Sequence, residues 1–179
     1  NRQQGAAKVD MRYYPSPLTE APFNLEGSNI HARVYCPVGS ESTNPAYPNT
    51  LRLYVQSGTN FENEYGAPVA MRDGQWVTVN LTPSTNTPDG GFMQPGFSPT
   101  NIVGVSVEVD MSGTYTGALY LDFVDFPSPR IPPYPMATYG FNSWTQGWGV
   151  ATDPSLRGIA GVGQATNWAW MGAHSLRLD

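Results

Sequence analysis

Asn101-Ile-Val-Gly-Val-Ser-Val-Glu-Val-Asp-Met111 is the stretch whose reading decides the fold class. Val103, Val105, Val107 and Val109 alternate with Ser106, Glu108 and Asp110. A period of two over this length is the pattern of a strand with one face in a core. β-Branched valines also suit the pleated backbone better than a helix. The same pattern recurs on both sides. Residues 117–126 set Leu119, Leu121 and Phe123 against Tyr120 and Asp122. Residues 50–57 set Leu51, Leu53 and Val55 against Arg52, Tyr54 and Gln56, and residues 75–81 set Val77, Val79 and Leu81 against Trp76, Thr78 and Asn80. In residues 29–36, Ile30, Ala32, Val34 and Cys36 face inward, and Arg33 and Tyr35 outward; residues 7–14 alternate in the same way.

Between these runs lie segments rich in Gly, Pro, Thr and Asn, read as loops over 15–22, 37–49, 58–66 and 82–100. Asp73-Gly74 is a turn signal. A short strand is expected at 68–72, and further short strands at 139–144, 147–150, 156–160 and 173–179. No eleven-residue window shows a helical period. Many short strands with Gly/Pro turns imply an all-β sandwich or barrel.

Composition agrees. The chain has 179 residues, 13% charged and 12% aromatic, with 19 Gly and 17 Pro. A net charge of −5 with no Lys/Arg cluster argues against nucleic acid as a partner. No stretch is long and apolar enough to form a membrane-spanning helix. Cys36 is the only cysteine, so no internal disulfide forms, and its place in an alternating run predicts a buried small hydrophobe. The chain shows no leader peptide, which implies one already removed or a chain that is part of a longer one.

Phe126-Pro-Ser-Pro-Arg-Ile-Pro-Pro-Tyr-Pro135 breaks the pattern. Proline lacks an N–H and fixes φ, so this segment is expected to be an extended connector. The organisation then reads as residues 1–126, the main part of the sandwich; 127–138, a proline-rich linker; and 139–179, a tail too small to bury a core alone.

Several segments resemble the jelly-roll carbohydrate-binding modules attached to bacterial cellulases and mannanases. They are Phe141-Asn-Ser-Trp-Thr-Gln-Gly-Trp148, Gly172-Ala-His-Ser-Leu-Arg-Leu178, Ala32-Arg-Val-Tyr-Cys-Pro37, Leu51-Arg-Leu-Tyr-Val-Gln56, Gly74-Gln-Trp76 and Tyr120-Leu-Asp-Phe-Val124. In the family the first two come at the start; here they come last. The chain therefore reads as a circularly shifted module, and three explanations stay open. It is a permuted domain closing on itself, one register of a tandem repeat, or a subunit whose tail completes a neighbour's sandwich. Residues 127–140 reach about 40 Å at roughly 3.1 Å per residue, similar to the width of such a domain. The stiffness of that segment favours bridging to a second copy.

The resemblance implies a jelly-roll β-sandwich of two antiparallel sheets and an extracellular, non-catalytic role in binding polysaccharide of the β-glucan or mannan type. It implies a site of stacking rings and planar polar groups on a sheet face or loop edge. Arg52, Tyr54, Gln56, Tyr65, Glu108, Trp168 and Trp170 are the candidate ligand-binding residues, with Arg12, Arg33 and Trp144 nearby in kind. The rival roles for the outward polar residues are a solvated network, and for the tryptophans an assembly interface or packing; Trp76 and Trp148 are expected in the core. Family members often hold a structural calcium, here through Asp122 and Asn142, with an amide where an acid is common. A glycosidase needs two carboxylates across a cleft, and Glu108 with Glu62 or Glu64 is the only pair to propose. His31 and His174 lack metal spacing. The chain is read as no enzyme. The alternative to glycan binding is a structural subunit of an extracellular filament, self-associating through residues 139–179 by head-to-tail strand exchange.

Overall fold

The computed structural model describes residues 7–13, 22–112, 115–127, 136–138, 148–150, 162–165 and 175–178. They form an all-β sandwich of two antiparallel sheets. The strands are β1 Ala7–Tyr13, β2 Ile30–Cys36, β3 Thr50–Ser57, β4 Glu62–Tyr65, β5 Val69–Ala70, β6 Gln75–Leu81 and β7 Phe92–Met93. They continue with β8 Ile102–Met111, β9 Leu119–Pro127, β10 Met136–Thr138, β11 Trp148–Val150, β12 Val162–Ala165 and β13 Ser175–Leu178. Sheet A runs β11-β1-β8-β3-β4-β7, with β5 also on β3. Sheet B runs β12-β13-β9-β2-β6, with β10 also on β9.

The alternating apolar residues meet between the sheets. Leu51, Leu53 and Val55 of β3 and Val105, Val107 and Val109 of β8 pack with Ile30, Ala32 and Val34 of β2 and Val77, Val79 and Leu81 of β6. Cys36 is buried among them, and burial pushes its thiol up to about 11. It behaves as the small hydrophobe expected of it. Gly74 supplies the positive φ (68°) of the turn into β6.

Two bulges overturn the simple alternation. Gln56 pairs Gly104 and Ser57 pairs Ile102, leaving Val103 as an extra residue. Ile102, not Val103, therefore enters the core. Likewise Arg33 pairs Phe123 and Val34 pairs Leu121, leaving Asp122 extra. Val124 then points inward, and Phe123 shares the outer face with His31. A bulge inserts one residue on one strand only, so it reverses the facing of everything beyond it.

The strands after the prolines join both sheets. β11 pairs β1, β13 pairs β9, and β12 pairs β13. β10 pairs β9 with Met136 opposite Pro127. Met136 and Pro127, at the two ends of the proline-rich stretch, are thus neighbours across an antiparallel ladder. Four strands have no counterpart in the sequence reading: β4 and β7 lie in expected loops, β10 in the linker, and β12 in an unassigned part of the tail. The expected strands at 139–144 and 156–160 lie outside the described residues.

Leu53 is fully buried at the centre of this core. Leu53→Ala is expected to cost about 2–5 kcal/mol in urea unfolding, through lost transfer energy and a residual cavity. Thr78→Ala, exposed on β6, is expected to change stability by no more than about 0.5 kcal/mol. Equal losses in the two variants would refute this placement of the core.

Candidate functional site

The outer face of sheet A gathers the polar and aromatic residues that alternate with its core. Arg52 stands directly opposite Glu108 across the β3–β8 ladder, and Tyr54 opposite Ser106. On the other side of β3, Tyr54 faces Tyr65 and Gln56 faces Asn63, and Tyr65 in turn faces Phe92 of β7. Cross-strand neighbours on one face are within side-chain reach, so strand pairing alone assembles this group.

Arg52 is its hinge. Its Nε and Nη2 reach Glu108 Oε1 at 2.6 and 2.5 Å. Glu108 is only 1% exposed, while the Arg52 side chain keeps 20%. The guanidinium lies over the Tyr65 ring, 4.3 Å from its centroid. Tyr54 packs against the same ring at 4.9 Å, tilted by 32°. Phe92 follows at 6.3 Å and is 52% exposed. The result is a stack with one buried end and one open end. Tyr65, engaged by Arg52 and Tyr54, is half-buried, and Phe92 is the most exposed ring of the stack. Gln94 supports this edge: its backbone N–H donates to the Asn63 backbone carbonyl at 2.8 Å, and its side-chain Oε1 accepts from the Asn63 backbone N–H at 2.7 Å. The buried Oδ1 of Asn63 and the buried Oγ of Ser106 have no hydrogen-bond partner among the described residues. Such atoms are rare in proteins because each costs desolvation energy.

Of the sequence-derived candidates, Arg52, Tyr54, Gln56, Tyr65 and Glu108 come together on this face. Tyr54, Gln56 and Glu108 are buried, so they support the site rather than line it. Trp168, Trp170, Trp144 and Asn142 lie outside the described residues. Phe92 escaped the sequence reading because it sits in a Gly/Pro segment whose two-residue strand has no periodicity to detect. The isolated aromatic after Gly90-Gly91 was its only signal.

Asp122 is fully buried at the β9 bulge, on the other sheet. Among the described residues, no group of three or more His, Cys, Asp or Glu side chains is placed to hold a metal. Of Asp122 and Asn142, the two calcium ligands implied by the resemblance, only Asp122 lies among the described residues.

The outer face of sheet B carries a second aromatic group. Tyr35 packs on Trp76 and Tyr120 at 5.4 and 6.4 Å, with Arg33 5.7 Å from the Trp76 centroid. Trp76 thus stands on an outer face rather than in the core. His31 Nε2 meets Asp125 Oδ2 at 3.0 Å. These rings mainly cover one another.

Glu64 faces the opposite way from Glu108. It pairs Val55, whose side chain is in the core, and it is fully buried. Sheet A therefore separates these two carboxylates. Burial pushes the Glu64 carboxyl up to about 7, a rise only partly offset by the Ser84 N–H, which donates to its two oxygens at 3.4 and 3.3 Å.

Comparison with protein-family models, with curated proteins and with solved structures found no match.

Arg52→Met is expected to destabilise the fold by about 3 kcal/mol in urea unfolding, because it leaves the Glu108 charge buried without its cation. Glu108→Gln in the same background should recover part of that loss; no recovery would show that the charge is not the cause. Glu64 makes a separate prediction. Its folded carboxyl binds a proton more tightly than the unfolded one, so stability is greatest below about 4.5 and falls as pH rises to about 7. The fall is expected to reach about 3 kcal/mol and to be flattened by Glu64→Gln. Thermal unfolding across that range measures both, and parallel profiles for the two proteins would refute it.

Proposed function

We propose that this chain is a non-catalytic, extracellular polysaccharide-binding module of the jelly-roll carbohydrate-binding kind. It holds sugar at the β3–β4–β7 edge of sheet A. The observation that carries this reading is the half-open Arg52–Tyr65–Phe92 stack. An exposed ring offers a flat apolar surface to the C–H face of a pyranose. A guanidinium fixed by a buried carboxylate presents N–H donors in a set direction to sugar hydroxyls. Rings with a few convergent polar groups are the ordinary make-up of a small-ligand site. The ligand class is a neutral β-glucan or β-mannan.

Phe92 is exposed and outside the core, so its removal tests the site without disturbing the fold. The wild-type chain is expected to be retarded on at least one of immobilised β-glucan and β-mannan. Phe92→Ala should weaken that retention about tenfold, the worth of roughly 1.4 kcal/mol of stacking. Retention unchanged in Phe92→Ala, or absent in the wild type on both polymers, would refute the reading.

A second reading draws on the tail. The strands following the prolines extend both sheets, β11 beside β1 and β12–β13 beside β9. Elements that close two sheet edges at once are the kind exchanged between copies, so a strand-exchanged filament subunit is the rival. Native mass separates them. A 19.5 kDa monomer at all concentrations excludes exchange, and a concentration-dependent series of multiples supports it.

A further inference from the structure

Glu64 stands on β4 between Val55 of β3 and Met93 of β7, facing the interior of the sandwich. Its hydrogen bonds come from the Ser84 amide, and both are long. Ser84 lies near the start of the segment 82–91, and Phe92 follows the end of that segment directly. Gly91 packs so closely on β4 that a Cβ there would fall 2.2 Å from the Tyr65 carbonyl oxygen. Gly90 lies against Ala67 in the same way, where a Cβ would come 3.3 Å from the Ala67 Cβ. The segment is therefore seated on the strand that carries Glu64, and it delivers Phe92 to Tyr65.

No cation faces Glu64 from the described elements around it. β3 contributes Leu53 and Val55 on this side, with Arg52 on the other. β6 and β7 contain no titratable side chain, the segment 82–91 contributes only Asp89, and β4 itself adds Glu62. Glu108 projects from the opposite face of sheet A. Burial, with no cation to offset it, is thus what opposes ionisation of Glu64.

We propose that Glu64 is a pH-operated latch on the segment 82–91, so that presentation of Phe92 weakens as pH rises toward neutrality. Neutral Glu64 stays under the segment; ionised Glu64 needs water, and lifting the segment admits it. Retention of glycan at this edge then falls over the same pH range. That last consequence rests on the binding reading above, whereas the latch itself does not.

Hydrogen exchange of the amides in 82–93 tests it, compared between the wild type and Glu64→Gln at each pH so that intrinsic rates cancel. The carboxyl titrates near 4.5 when released and near 7 when buried. The wild-type to variant rate ratio is therefore expected to rise about tenfold per pH unit between those values and then level off. These amides should also exchange faster than those of β8, by local opening rather than global unfolding. A flat ratio, or exchange in step with β8 at every pH, overturns the latch. Should Glu64→Gln fail to fold, the wild-type profile corrected for intrinsic rates gives the same reading. Retention on β-glucan or β-mannan, followed over the same pH range, supplies the second arm. A decline that Glu64→Gln removes supports the proposal. No retention at any pH, with the exchange profile as expected, overturns the binding reading and leaves the latch.

Discussion

The β3–β8 ladder is the constraint on which the rest of the structure depends. Its inner side places Leu51, Leu53 and Val55 against Val105, Val107 and Val109 at the centre of the core. Its outer side places Arg52 against Glu108. These are two consequences of one register, because a slip by one residue would exchange the faces. It would then bury the ion pair in the core and expose the valines. The hydrophobic cost of that exchange, summed over six large side chains at about 1.5–3 kcal/mol each, far exceeds what the surface side of the ladder contributes. The core therefore sets the register, and the polar face is positioned as a result.

Edges are where this arrangement acquires chemistry. The centre of the outer face is buried, whereas the β4–β7 edge leaves one ring open. The same edge holds the acid least suited to its surroundings. Glu64 and Tyr65 are consecutive on β4, so alternation sends one into the interior and the other onto the outer face. A titrating group and a ring of the Arg52–Tyr65–Phe92 stack are thereby joined through one short strand and the segment seated on it. Short edge strands with few ladder bonds sit at the low-stability end of a fold.

Much of the fold was legible in the residues. Strands with four or more alternating apolar positions were read with near-correct ends, and Cys36 was placed in the core. Phe123 and Val103 were misplaced for one reason: each lies at or just beyond a bulge, and periodicity carries no mark of an inserted residue. β4 and β7 were read as loops because four and two residues cannot display a period. Of the candidate site, Arg52, Tyr54, Gln56 and Glu108 were recognised from alternation and resemblance together and Tyr65 as a loop aromatic, while Phe92 was not. Which of them is accessible was not legible either, since alternation distinguishes the two faces of a strand and not a covered face from an open one.

The sequence by itself determined the all-β class, the main strands and the division of their residues between core and outer face, because period-two hydrophobicity is a local property of the chain. Only the tertiary structure decided which strands are neighbours, and with that the stacking of Arg52 on Tyr65 and Phe92. It also placed Glu64 and Glu108 on opposite faces of one sheet, and it put strands from beyond the prolines into both sheets. Those are contacts between residues far apart in sequence, created by burying two apolar faces against each other, and no local pattern encodes them.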